Sequence, residues 1–162
     1  MRSSVIVECE QDGIVGYGEA APIPRYAESA ESVVALLNQL DPRKLENPFA
    51  IEESLAYVES LTPGQAAAKA AIDIALHDWV GKSLGIPLWK LWGLTAATSP
   101  LTSFTIGIDT QEIIEQKLKE AQPYPILKLK VGVANDEETI RLIRRHSDKT
   151  IRADANEGWK SK

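Results

Sequence analysis

Val5, Ile6 and Val7 make residues 4–10 a β-branched run, and Asp12 with Gly13 forms a turn signal before a second short run at residues 14–17. Two such runs joined by Asp-Gly predict a hairpin. Residues 18–24 hold Gly18, Pro22 and Pro24 and read as an irregular loop. Helical periodicity follows. Val33, Val34, Leu37 and Leu40 fall on one face of residues 29–40, which Asp41 and Pro42 end. A weaker helix spans residues 49–61. The strongest spans about residues 63–83, with Pro63 near its first position and Gly85 as its stop. In it Ala67, Ala71 and Ala75 recur every four residues as a small-residue face for close packing, beside a bulkier stripe of Ile72, Leu76, Trp79 and Val80. Residues 87–92 make a shorter element whose Leu88, Trp89, Leu91 and Trp92 read as core or interface.

From residue 101 the pattern alternates: strand 101–106, helix 110–121, strand 126–131, helix 135–146, strand 150–154. Strands separated by helices of this length are the signature of parallel β/α units. Asn135 with Glu138 three residues on gives a capped start to the second of these helices. The chain therefore reads as an α+β portion to about Pro100, then two and a half β/α units of a parallel sheet or barrel.

Composition narrows the class. The chain has 162 residues, 44% of them hydrophobic, which excludes a disordered or low-complexity architecture. Its 18 basic and 23 acidic residues leave a net charge of −5, without the basic footprint of a nucleic-acid binder. The single cysteine, Cys9, has no internal partner and fits a reducing cytoplasm. The first residues lack the apolar core of a secretory signal. The longest uncharged run, residues 91–108, is interrupted by Gly93 and Pro100, so no membrane span is expected.

Lys128 and Lys130 lie two apart on one predicted strand, so both side chains leave the same face. Strands of parallel sheets are normally apolar on both faces. Two readings stay open for the pair: a solvated strand end, or a cationic feature of a cavity. Asp154 ends the next strand, where a carboxylate either caps a following helix or sits on the face on which (β/α)8 enzymes build their sites. A carboxylate oxygen there suits a hard cation such as Mg²⁺. Ammoniums about 6 to 7 Å apart repel by about 2 to 3 kcal/mol at an effective dielectric near 20, which favours the neutral amine that a general base requires.

Taken in order, Lys128-Leu129-Lys130 and Asp154-Ala155-Asn156-Glu157-Gly158-Trp159 resemble the Lys-x-Lys and Asp-x-Asn signatures of the muconate lactonizing enzyme subgroup of the enolase superfamily. Upstream, residues 16–20 (Gly-Tyr-Gly-Glu-Ala) and residues 70–78 look like that family's capping-domain landmarks. Within the subgroup, residues 103–109 and the 154–159 segment are most similar to dipeptide epimerases of the L-Ala-D/L-Glu type. The resemblance implies a capping domain over residues 1–100, lacking its first strand. Residues 101–162 would then be the first part of a (β/α)8, TIM-like barrel. It also implies an isomerase that removes the α-proton of a carboxylate substrate with Mg²⁺ stabilising an ene-diolate. By position, Lys130 would be an acid/base, Lys128 its electrostatic neighbour, Asp154 the first Mg²⁺ ligand, and Thr105 a substrate contact.

Two further acidic ligands and a second lysine belong to later strands in that family. The expectation is thus a fragment, truncated at both ends and inactive by itself. Its partners would be a dipeptide or related small carboxylate and, as in many relatives, further copies of itself in a homo-oligomer, with no nucleic acid and no membrane. Muconate cycloisomerases, o-succinylbenzoate synthases and N-acylamino acid racemases share the same three residues, and a non-catalytic relic would keep the helices without the chemistry.

Overall fold

A computed structural model describes residues 3–156, 158 and 159. The chain forms two compact units, Met1–Ala96 and Ala97–Lys162, taken here in turn.

In the first unit β1 (Val5–Gln11) pairs antiparallel with β2 (Ile14–Ala20), from Val5 opposite Ala20 to Gln11 opposite Ile14. Asp12 and Gly13, with φ of 53° and 74°, close the two-residue turn in the conformation whose twist matches the strands. β2 runs three residues beyond the expected strand, through Gly18, Glu19 and Ala20. The glycines are there for proximity to a helix and mark no turn. A Cβ on Gly16 would fall 2.2 Å from the Ala75 carbonyl oxygen, and one on Gly18 1.9 Å from that of Ala71.

Those carbonyls belong to α3 (Ala66–Leu84), so the small-residue face packs directly on the strand backbone. Ile72, Leu76, Trp79 and Val80 are all buried, as the bulkier stripe predicts. The Trp79 indole N–H donates to the Gln11 carbonyl at 3.2 Å. Pro63 is not the first helical residue. Gly64 and Gln65 adopt φ of 72° and 54°, which turns the chain before the helix begins at Ala66. Gly85, at φ 65°, ends it as expected.

The core is completed by α1 (Ala30–Leu37) and α2 (Ile51–Leu61). Ser29 and Ser32 cap α1 reciprocally. Its buried pair is Val33 and Leu36, while Val34 is 43% exposed; Leu37 and Leu40 pack from the margin, so the apolar face is centred one position away from the expected one. The short α4 (Leu88–Leu91) leaves Trp89, Leu91 and the following Trp92 exposed, which excludes them from the core.

The second unit is a three-stranded parallel sheet in the order β3 (Ser103–Ile106), β4 (Ile126–Lys130), β5 (Thr150–Asp154). The crossovers are α5 (Gln111–Glu120) and α6 (Asp136–His146). Ile106, Leu127, Leu129 and Val131 point to one sheet face and are buried with Ile114, Leu118, Leu142 and Ile143 of the two helices. Asn135 precedes α6, yet its side chain makes no cap bond. At φ −101° and ψ 19° it lacks the extended geometry that aims a capping oxygen at the first turn. Among the described residues no helix is long and apolar enough to cross a membrane.

Candidate active site

The face of the second sheet opposite its helices carries the polar residues. Because side chains alternate along a strand, Leu127, Leu129 and Val131 of β4 and its continuation go to the helices. Lys128 and Lys130 consequently emerge on the other face. The parallel register sets Thr105 of β3 beside Lys128, Lys128 beside Arg152 of β5, and Lys130 beside Asp154. All four expected residues therefore share one face. Thr105 is exposed on it, and Lys128, Lys130 and Asp154 are half-buried.

Three of the four are in contact. Asp154 Oδ2 lies 2.9 Å from Lys128 Nζ and 2.7 Å from Lys130 Nζ, so one carboxylate oxygen is shared by both ammoniums. The two nitrogens are thus no farther apart than the sum of those distances. Asp154 Oδ1 accepts the Asn156 backbone N–H at 3.0 Å, and Asn156 Oδ1 accepts from Lys130 Nζ at 2.6 Å. Asn156 sits at φ 46°, a left-handed conformation that asparagine tolerates, and this turns its side chain back toward Lys130. The Lys130 hydrogen bond above all, then that of Lys128 and the Asn156 N–H, hold the Asp154 carboxyl well below the ordinary carboxylate range. As a carboxylate, Asp154 binds both ammoniums and the backbone of its own turn.

Asn156 was legible only as part of the Asp-x-Asn spacing, which says nothing of its bond to Lys130. Arg152 carries no motif that singles it out in the sequence. It lies on the same face two residues before Asp154, with Nη1 3.3 Å from Ser103 Oγ, and the strand period alone locates it there.

The donor set bears on a metal. Asp154 and Asn156 offer the hard oxygens that Mg²⁺ prefers. No group of three or more His, Cys, Asp or Glu residues is assembled for a metal among the described residues. These residues fit Mg²⁺ in kind, and Asp154 is the one carboxylate they supply.

The second unit thus carries a polar cluster at the ends of its parallel strands. Residues 1–93 match the family described as mandelate racemase / muconate lactonizing enzyme, N-terminal domain. The chain is 49% identical over 159 residues to the L-Ala-D/L-Glu epimerase of Bacteroides thetaiotaomicron, covering 98% of this chain and 42% of that one. It matches the crystal structure of a dipeptide epimerase from Enterococcus faecalis with a TM-score of 0.85 at 33% identity, over 98% of this chain and 48% of that one. A dipeptide epimerase from Cytophaga hutchinsonii, complexed with Mg and the dipeptide D-Ala-L-Val, matches with a TM-score of 0.80 at 27% identity, over 97% and 45%. The chain belongs to the mandelate racemase / muconate lactonizing enzyme family of the enolase superfamily. It spans less than half the length of these relatives.

Proposed function

We propose that the protein to which this chain belongs is a Mg²⁺-dependent epimerase acting on the α-carbon of a dipeptide of the L-Ala-D/L-Glu type. The observation that carries the reading is the convergence of Lys128 and Lys130 on a single oxygen of Asp154, on the sheet face away from the helices. In this reading residues 1–100 are a capping domain and residues 101–162 begin a (β/α)8 barrel, with Thr105 touching substrate. The enzyme is cytoplasmic and forms homo-oligomers.

Lys130 takes the α-proton; the C–H electron pair moves toward the substrate carboxylate, and a protonated group on the opposite face returns a proton with inversion. Lys128 adds positive charge beside the carboxylate where negative charge develops. Asp154 and Asn156 hold Lys130 in place until substrate arrives. Asp154 would be the residue of this chain that holds Mg²⁺, and the bound ion would supply a fixed positive charge where negative charge develops on the substrate carboxylate.

Incubation of the protein with L-Ala-L-Glu in D₂O tests this, with exchange of the glutamate α-proton followed by NMR. Exchange with inversion is expected, and Lys130→Ala should abolish it. Failure to exchange any dipeptide would refute the substrate, and undiminished exchange in Lys130→Ala would refute the role of the lysine.

A further inference from the structure

The loops that leave β4 and β5 are fastened to each other by a residue that neither the fold nor the chemistry above has used. Gly132, two residues after Lys130, has φ 113°, and its Cα lies so near Gly158, two residues after Asn156, that a Cβ on Gly158 would come within 3.2 Å of it. Asp136, the first residue of α6, reaches into this junction. Its Oδ2 accepts the Gly132 N–H at 2.8 Å and its Oδ1 the Val133 N–H at 3.1 Å. The Trp159 indole N–H, from the loop after β5, donates to Oδ2 at 3.4 Å. A carboxylate has acceptor sites for all three donors, and bonds to a charged acceptor are stronger than neutral ones. The Gly132 amide foremost, opposed by burial, and then the Val133 amide and the Trp159 indole, draw the Asp136 carboxyl below its ordinary range.

We propose that Asp136 is a positioning residue for the lysine–aspartate cluster: it ties the loop following Lys130 to the loop following Asp154 and Asn156, and so keeps the Lys130 ammonium seated between those two side chains. The consequence for catalysis rests on the reading of Lys130 as an acid/base. The positioning itself does not.

The test uses the 162-residue chain and its Asp136→Ala, Asp136→Asn and Trp159→Phe variants. Acetylation of each lysine by an N-hydroxysuccinimide ester is followed by mass spectrometry. Hydrogen exchange of residues 131–134 is measured in the same samples. Asp136→Ala should speed exchange at Gly132 and Val133 and raise Lys130 acetylation about fivefold, the scale of one lost hydrogen bond. Lys149, whose ammonium is held by the Ala121 and Gln122 carbonyls elsewhere in the unit, should not change. Asp136→Asn, which keeps an acceptor oxygen, should recover part of the protection. Trp159→Phe should raise Lys130 acetylation while Gly132 and Val133 stay protected.

Unchanged amide exchange in Asp136→Ala would overturn the proposal, as would deprotected amides with Lys130 acetylation unaltered. So would a parallel rise at Lys130 and Lys149, which marks general loosening. None of these measurements involves turnover, so their failure and that of the epimerase reading are separable.

Discussion

Replacing Gly18 by alanine places a methyl group where the structure has a helix backbone. The new Cβ would lie 1.9 Å from the Ala71 carbonyl oxygen, 2.8 Å from its carbonyl carbon and 3.0 Å from the Ala75 nitrogen. A carbon and an oxygen in ordinary contact sit roughly 1.3 Å or more farther apart than that shortest distance. A side chain could rotate aside, whereas a carbonyl inside a helix cannot, so β2 must withdraw from α3 along the seam that buries Ala20, Ala71, Ala75 and Leu76. Overpacking costs about 1 to 3 kcal/mol, and an obstacle made of backbone argues for the upper end, about 3 kcal/mol. For a unit of this size that lowers the melting temperature by about 12 to 24 °C. Gly13→Ala is the control: its φ of 74° disfavours alanine, but nothing lies within 4 Å of its Cβ, so the cost is about 1 kcal/mol. Urea unfolding followed by fluorescence of the buried Trp79 measures both. If Gly18→Ala costs no more than Gly13→Ala, the close approach of hairpin and helix is wrong.

Asp154→Asn leaves the two ammoniums facing one another without their shared anion, and acetylation of Lys128 and Lys130 should rise on the order of tenfold; equal rates in the two proteins would contradict the shared ion pair. Mg²⁺ titrated calorimetrically into the 162-residue chain should bind at about millimolar strength or weaker, because among the described residues of the cluster only Asp154 provides a carboxylate, and a micromolar Kd would show a ligand set beyond them. Asp78 accepts the Tyr17 N–H at 2.8 Å and pairs with Lys82. Burial alone would raise its carboxyl, but the Lys82 and Tyr17 hydrogen bonds outweigh it and the net direction is down. Its stabilisation is therefore complete above the ordinary carboxylate value near 3.9 and is lost as pH falls toward the depressed value of the folded state; the stability gap between wild type and Asp78→Asn should narrow below about pH 4, and a gap independent of pH would refute the charge-based account. The outer edges of β3 and β5 have no strand partner among the described residues, so the 162-residue chain should self-associate, and a monodisperse monomer by light scattering would count against that.

The second unit was the more legible part because each of its signals was periodic. Alternation located all three strands to within two residues at each end, and the same period of two put Lys128 and Lys130 on a common face, to which only the register between β4 and β5 adds Asp154. The first unit exposed the limit of local punctuation. Gly16 and Gly18 carry the same symbol as the turn residue Gly13, yet they serve a helix more than 50 residues away, and only the distance to Ala71 and Ala75 tells the two uses apart. Val34 failed for a related reason: two adjacent valines satisfy a helical stripe equally, and which is buried depends on where α2 and α3 lie. At the site, residue types announced the lysines and the aspartate but not their partners. Asn156 reaches Lys130 only because its backbone adopts φ 46°, and no pattern of residue types encodes that angle.

The way the cluster is shared between strands has its own consequence. Lys128 and Lys130 stand on β4, which is paired on both sides, whereas Asp154 stands on β5, which among the described residues is paired on one. Strand ends and edges open before centres, so the anion of the cluster is held less firmly than its cations. Three contacts oppose that opening at the end of the strand: the Val131 N–H on the Asp154 carbonyl, the Lys130 bridge to Asp154 and Asn156, and the Asp136 bond to Trp159. Two of the three are made by charged side chains: one joins the end of β4 to the end of β5 and to the loop after it, and the other joins the start of α6 to that loop. The geometry that brings an amine, a carboxylate and an amide oxygen together thus depends on the ladder register that sets Lys130 beside Asp154 and on a few side-chain contacts at its end. The same arrangement leaves Asp154 shared between two lysines and its own turn, with the Asp136 contact to Trp159 as a separate anchor beyond the strand ends.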